Sequence, residues 1–292
     1  MRKHLDKLPA FILAIGAILR IAGTGASAIW FDESVMVYRS HLPFLRLWAE
    51  HSDSSGDLLL EIILRPLLAL SQSVWILRLP SMLAALASLW LVWKLMRRLN
   101  FTLRQQVVTA SFAAFLPGLI WVAQDARSYS VLGLLFLGAL WFAIQGNWLG
   151  LLAACGLTVY AHNVGPIFAI AALMIAWYLH PAQRRNILAV ALVAAYAWIP
   201  AAIHMSGMWV VQQPWQPTLS FSWVVNNSLQ SLWPMSWSGA LWFAAFLVLG
   251  YTFFRVITLL VLFAFKKPKN WGTNHERAIC RAPLQRRKHK TN

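Results

Sequence analysis

Acidic side chains are scarce in this sequence: nine Asp and Glu stand against 25 Lys and Arg, and charged residues make up 12% of the 292. A soluble domain carries roughly 25% charged residues, so the composition excludes a large soluble domain. Cysteine is rarer still. Cys155 falls in an apolar run and Cys280 in a basic tail, which excludes a disulfide framework and gives neither thiol a redox assignment. No phosphate-binding glycine loop, zinc signature or serine-hydrolase elbow occurs. Neither an internal repeat nor a low-complexity tract is found. The net charge of +16 would suggest a nucleic-acid partner in a soluble protein. Here nine Lys and Arg crowd into residues 266–292 beside a single acid, Glu276, and most others flank apolar segments, as topology determinants do.

What is abundant is apolar chain. Hydrophobic residues make up 59% and mean hydropathy is +0.59. The pattern predicts an all-α, polytopic transmembrane bundle of eight spans: 8–30, 80–97, 107–123, 129–145, 148–161, 165–180, 187–204 and 240–265. The basic start (Arg2, Lys3, Lys7) and Ala26-Ser27-Ala28 look like a signal peptide, but the apolar stretch is long for one and further spans follow, so retention is expected. With the N-terminus inside, the inner segments hold Arg97, Arg98, Arg104, Arg184, Arg185 and the tail, whereas outer segment 205–239 holds no Lys or Arg. Residues 1–265 form the membrane domain. Residues 266–292 are expected to form a basic cytoplasmic tail, disordered for want of apolar side chains.

On this topology seven of the nine acids face outward: Asp32, Glu33, Glu50, Asp53, Asp57, Glu61 and Asp125. Outer loop 31–79 holds two short apolar stretches, 43–48 and 58–68, that suit helices lying in the interface, with Pro66 kinking or ending the second. Loop 205–239 is rich in Trp, as chain skimming the headgroup layer is.

Asp32 and Glu33 follow Trp30-Phe31 directly after the first apolar run. A carboxylate there can take a proton from an acceptor hydroxyl; the plainer alternative is a pair of solvated loop acids. Gln124-Asp125-Ala126-Arg127-Ser128-Tyr129 forms a short outer turn, in which Arg127 could clamp a phosphate and Asp125 position an acceptor or orient Arg127. The alternative is a local Asp–Arg pair closing the turn. Arg78 sits outside against the positive-inside bias, either for an anion or snorkelling to headgroups. His162 and Asn163 occupy the next outer turn, where a lone His is more often structural. Glu50, His51 and Asp53 have weak metal-ligand spacing. Arg20 lies within the first span and either pairs inside the bundle or reaches the inner interface.

Four of these stretches resemble motifs of membrane glycosyltransferases with the GT-C fold. Trp30-Phe31-Asp32-Glu33 resembles their first-loop Asp-Glu motif, and Ile76-Leu77-Arg78-Leu79-Pro80-Ser81 their Arg-Leu-Pro span start. Ala123 to Ser130 resembles their acidic-Ala-Arg-x-Tyr-Ser turn, and Tyr160-Ala161-His162-Asn163 their Tyr-x-His turn. The order is the family's, over roughly residues 8–240, and the resemblance is to enzymes of the protein O-mannosyltransferase, lipid A aminoarabinose transferase and lipopolysaccharide-core galacturonosyltransferase type. The resemblance implies a polyprenyl-phosphate sugar donor, a glycan, lipid or protein acceptor of the cell envelope, and inversion on the periplasmic face of the bacterial inner membrane. It makes Asp32 and Glu33 the catalytic acids, with Asp32 as base and Glu33 organising the site, an arginine being its candidate partner, and it makes Arg78, Asp125, Arg127, Tyr129 and His162 substrate-binding. A divalent cation could help neutralise the phosphate, although no ligand set stands out; no other cofactor is implied. Two features depart from the pattern. Ser54-Ser55-Gly56-Asp57 stands where relatives carry a His-Pro-Pro-Leu-Tyr-like stretch, and one predicted span follows 205–239 where relatives have more, which implies a compact or shortened C-terminus.

Two competing classes make different demands. A transporter or flippase needs polar residues deep in several spans, and here Arg20 and Arg255 are the only charges well inside. A non-catalytic envelope-assembly subunit would tolerate neutral residues at Asp32 and Arg127.

Overall fold

In a computed structural model of the chain, residues 7–49 and 58–210 are described. They belong to the first of two units, residues 1–212. The predicted span 240–265, the basic tail, most of loop 205–239 and the stretch with Glu50, His51 and Asp53 lie outside the described residues.

The described residues are helical with no strand. In order they form α1 (Leu8–Gly23), α2 (Phe31–His41), α3 (Phe44–Ala49), α4 (Leu58–Leu70), α5 (Val74–Arg98), α6 (Leu103–Phe115), α7 (Pro117–Trp121), α8 (Tyr129–Gln145), α9 (Trp148–Ala161) and α10 (Gly165–Leu179). A 3₁₀ turn (Pro181–Gln183) then leads into α11 (Arg184–Val210). Two helical stretches are long and apolar enough to cross a membrane, Val74–Arg98 and Pro181–Ala202. Helices α1, α8, α9 and α10 are apolar but hold 14–17 residues, about 21–26 Å at the usual helical rise.

The elements differ from expectation where proline or a cap intervenes. The segment after Trp30 is a helix, not a loop: Asp32 and Glu33 fill its first turn, where carboxylates complement the helix dipole. Helix α5 begins six residues before Pro80, because Ser73 caps it by accepting from the Ile76 N–H at 3.4 Å, so Pro80 lies inside the helix rather than opening it. Helix α4 likewise runs through Pro66 to Leu70. The expected span 107–123 is instead broken at Pro117 into α6 and α7.

That break explains Arg20. Pro117 has no N–H for the Ala113 carbonyl. The Arg20 guanidinium supplies the donors, to Ala113 O at 2.7 Å and Ala114 O at 3.1 Å, and also bonds Gly16 O in its own helix at 2.8 Å. The crossing is close: a β-carbon on Gly16 would lie 2.7 Å from Ala114 Cα. Arg20 is therefore a buried plug at a helix end, and does not reach an interface.

Helices α8–α11 pack on alanine. Ala139, Ala143, Ala154, Ala169, Ala172, Ala176 and Ala194 are buried with Leu151, Cys155, Ile187 and Val190. Small side chains let helix backbones approach closely, the mode of association that works without a water-driven hydrophobic effect. The outward sides of α10 and α11 carry exposed Ile167, Ile170, Met174, Leu192, Val193 and Tyr196. Toward the C-terminal end of α5 and at the start of α11, Lys94, Arg97 and Arg184 lie over the rings of Trp90, Trp93 and Trp177.

Candidate active site

The C-terminal end of α1, the N-terminal ends of α2 and α5, and the 122–128 turn meet at one end of the bundle. The tie is Arg78. From the second turn of α5 it presents both edges of its guanidinium: Nε donates to Glu33 Oε1 and Nη2 to Glu33 Oε2, each at 2.7 Å. Nη1 donates to Thr24 O, Ser27 O and Ser27 Oγ at 2.9–3.2 Å, and Nη2 also to Ala28 O at 3.1 Å. One side chain thus fixes the chain leaving α1 and the first turn of α2. Glu33 completes the knot: Oε1 accepts from the Ala126 N–H at 2.9 Å and Oε2 from the Trp30 N–H at 3.4 Å. The pair is buried, at 2% and 0% exposure.

This placement revises the expectation for Arg78 and gives Glu33 its arginine partner. Arg78 neither snorkels nor faces a cavity: its N–H groups are committed to Glu33 and to main-chain oxygens, so it organises the site instead of meeting a phosphate. Glu33 is equally enclosed and touches no open space. Burial pushes its carboxyl up, but the Arg78 guanidinium and the Ala126 and Trp30 amides outweigh that and hold it below the ordinary carboxylate range.

Asp32, its neighbour, points the other way, as successive residues in a helical turn must. Its side chain is 33% exposed at the mouth of a cavity of about 230 Å³. Trp30, Trp121 and Val122 form the apolar wall, and Asp32, Asp125, Arg127 and Tyr129 the polar side. Arg127, 11% exposed, brings Nη1 to 3.4 Å from Asp32 Oδ2 and lies 6.0 Å from the Tyr129 ring centre. Ser81 on α5 anchors that turn by donating to Arg127 O at 2.9 Å. Tyr129 in turn packs its ring on His162, with centroids 5.2 Å apart. His162 therefore supports the cavity through Tyr129 and does not line it.

Asp125 is 3% exposed. Its Oδ1 accepts the Trp30 indole N–H at 2.9 Å, a contact that sequence reasoning missed because the partners lie 95 residues apart. Burial, and after it the neighbouring Glu33 carboxylate, drive the Asp125 carboxyl up to about 6 against the opposing pull of Trp30 and Arg127. A second buried ion pair, Arg39 with Glu61, clasps α2 to α4. Nothing in the spacing of those residues announced it. Among the described residues, no three His, Cys, Asp or Glu side chains converge as a metal-ligand group.

The four motifs, scattered over 130 residues of chain, thus converge at one end of the bundle. No family model matches the chain, and neither a curated protein nor a solved structure matches it significantly. The chemistry must be argued from the site itself: an accessible carboxylate, an arginine 3.4 Å away, an aromatic wall, and behind them a buried ionic frame.

Proposed function

We propose that this protein is a membrane glycosyltransferase that moves a sugar from a polyprenyl-phosphate donor to a hydroxyl of a cell-envelope acceptor, with inversion at the anomeric carbon. The observation that carries the reading is the Asp32–Arg127 pair across a small aromatic-walled cavity at the end of an apolar helix bundle. In this mechanism Asp32 takes the proton of the acceptor hydroxyl while the oxygen attacks the anomeric carbon. The bond from that carbon to the phosphate oxygen breaks, and its electron pair leaves with the phosphate. The leaving group gains negative charge, and Arg127, freed from Asp32 as the base is neutralised, stabilises it. The cavity is below the roughly 300–1,000 Å³ of drug-sized pockets, a size suited to one sugar ring with its phosphate. The lipid chain of the donor then lies along the exposed apolar surface beside Trp30, Phe31 and Trp121. Glu33, Arg78 and His162 position these groups without touching the substrate.

On this reading the chain resides in the bacterial inner membrane with its termini in the cytoplasm and the cavity on the periplasmic side. Arg97, Arg98, Arg104, Arg184 and Arg185, at the helix ends remote from Asp32, support that orientation. Passage of a solute across the membrane is less well supported. Within the described spans, Arg20 is taken up by helix-end carbonyls, and the remaining charged groups sit toward the ends. Incubating purified protein with radiolabelled polyprenyl-phosphate sugars and an envelope lipid extract tests the proposal. Label should appear in a new product; a folded sample that transfers nothing from any donor in the panel would sink it.

A further inference from the structure

Asp125 is the one cavity residue whose geometry the transfer mechanism leaves unexplained. Its Oδ1 is taken by Trp30, yet Oδ2 is buried and has no hydrogen-bond partner among the described residues. Leaving a buried acceptor of this kind without a donor is costly. The group lying against it is Glu33, another carboxylate, whose oxygens already accept from Arg78, Ala126 and Trp30. Two ionised carboxylates in contact repel, whereas a carboxyl and a carboxylate form a strong charge-assisted hydrogen bond. The charged groups facing Asp125 are Glu33 on α2, Arg78 on α5 and Arg127 in its own turn, and Arg127 is also engaged with Asp32.

We infer that Asp125 is a positioning residue whose carboxyl, protonated at Oδ2, donates to the Glu33 carboxylate while Oδ1 receives the Trp30 indole N–H. One proton shared by two acids then fixes the aromatic wall of the cavity and the helix end that bears Asp32. Glu33, tied to Arg78, is the ionised member. The upward shift of Asp125 to about 6 agrees with this division. Because only the protonated pair is fully satisfied, the cavity is best ordered below that pH, and raising the pH through it introduces a second negative charge beside Glu33.

The prediction separates an acid that must be charged from one that must carry a proton. An amide at 125 keeps an oxygen for Trp30 and offers an N–H to Glu33 at every pH. Asp125→Asn should therefore retain transfer within about threefold of the parent, and Asp125→Ala should lose at least tenfold. Melting temperature in detergent gives a readout that does not depend on the glycosyltransferase reading. Asp125 is raised from 3.8 unfolded to about 6 folded. Its stabilising contribution is therefore complete below pH 3.8 and is lost as pH rises through 6. The parent's Tm should fall across that window, and Asp125→Asn should abolish that fall and melt roughly 2–4 °C higher than the parent at pH 7.5. An Asn variant that keeps the parent's slope, or melts below it at pH 7.5, overturns the shared proton. If the Asn variant melts as expected but neither it nor the parent transfers sugar, the shared proton stands and the proposed reaction fails.

Discussion

Two regions of this molecule are built on opposite principles. Helices α8–α11 are held by alanine against alanine, with almost no buried charge, so their backbones touch and their outward faces remain apolar. The end formed by α1, α2, α5 and the 122–128 turn is held by a guanidinium, two carboxyls and main-chain oxygens, all buried. The first region has no room for added volume at its buried alanines. The second tolerates no missing partner. The contrast teaches where to look for chemistry: α8–α11 bury almost no charge, and the buried ionic frame stands at the end of the bundle that bears Asp32. What the frame holds is Asp32.

The comparison can be broken most severely at the cavity. Asp32→Asn and Arg127→Ala should each lower sugar transfer by about 10²–10³-fold while leaving the melting temperature near that of the parent, since both side chains are partly exposed. Next come the frame residues. Arg78→Met leaves Glu33 buried without its cation and should cost about 3–5 kcal/mol, read as a large drop in Tm with loss of transfer following from it. In the alanine stack, Ala172→Leu inserts a branched side chain between helices and should cost about 1–3 kcal/mol; the fraction that remains folded should transfer sugar at the parental rate. Smallest is Ser81→Ala, which removes the bond to Arg127 O and should cost about 0.5–1.5 kcal/mol, with a modest rise in KM for the donor. The frame also carries an acid limb of its own. Glu33 is depressed from 4.5, so its contribution is present above that value and is lost as pH falls through its lower folded value. Glu33→Gln should flatten the fall in Tm on that acid side.

Much of the helix pattern was legible because it follows continuous apolar runs: α8 and α9 have the bounds that hydropathy sets, and α10 ends one residue short. Bounds set by single residues were not. Hydropathy reads through Pro117 and stops at Pro80, whereas the chain breaks at the first and continues through the second; the difference lies in Arg20 and Ser73, which act on backbone groups. Helix α2 was hidden because its polar residues gave no apolar period, although a glutamate at its third position was a capping signal. The site was legible as a set of four stretches on one face, not as roles. Which of two adjacent acids meets the solvent depends on the helical turn they share. The committed state of Arg78 depends on where α5 begins. Trp30 belonged to the first of those stretches, but its role as donor to Asp125 came into view only through the fold.

The central claim is that Asp32 and Glu33, adjacent in sequence, divide the work, one at the chemistry and one in the frame. The most direct test is the rate of sugar transfer from a polyprenyl-phosphate donor by Asp32→Asn, per folded molecule, against the parent protein. The account predicts that transfer drops by at least 10²-fold with the melting temperature preserved. Transfer at the parental rate by a folded Asp32→Asn protein would contradict it.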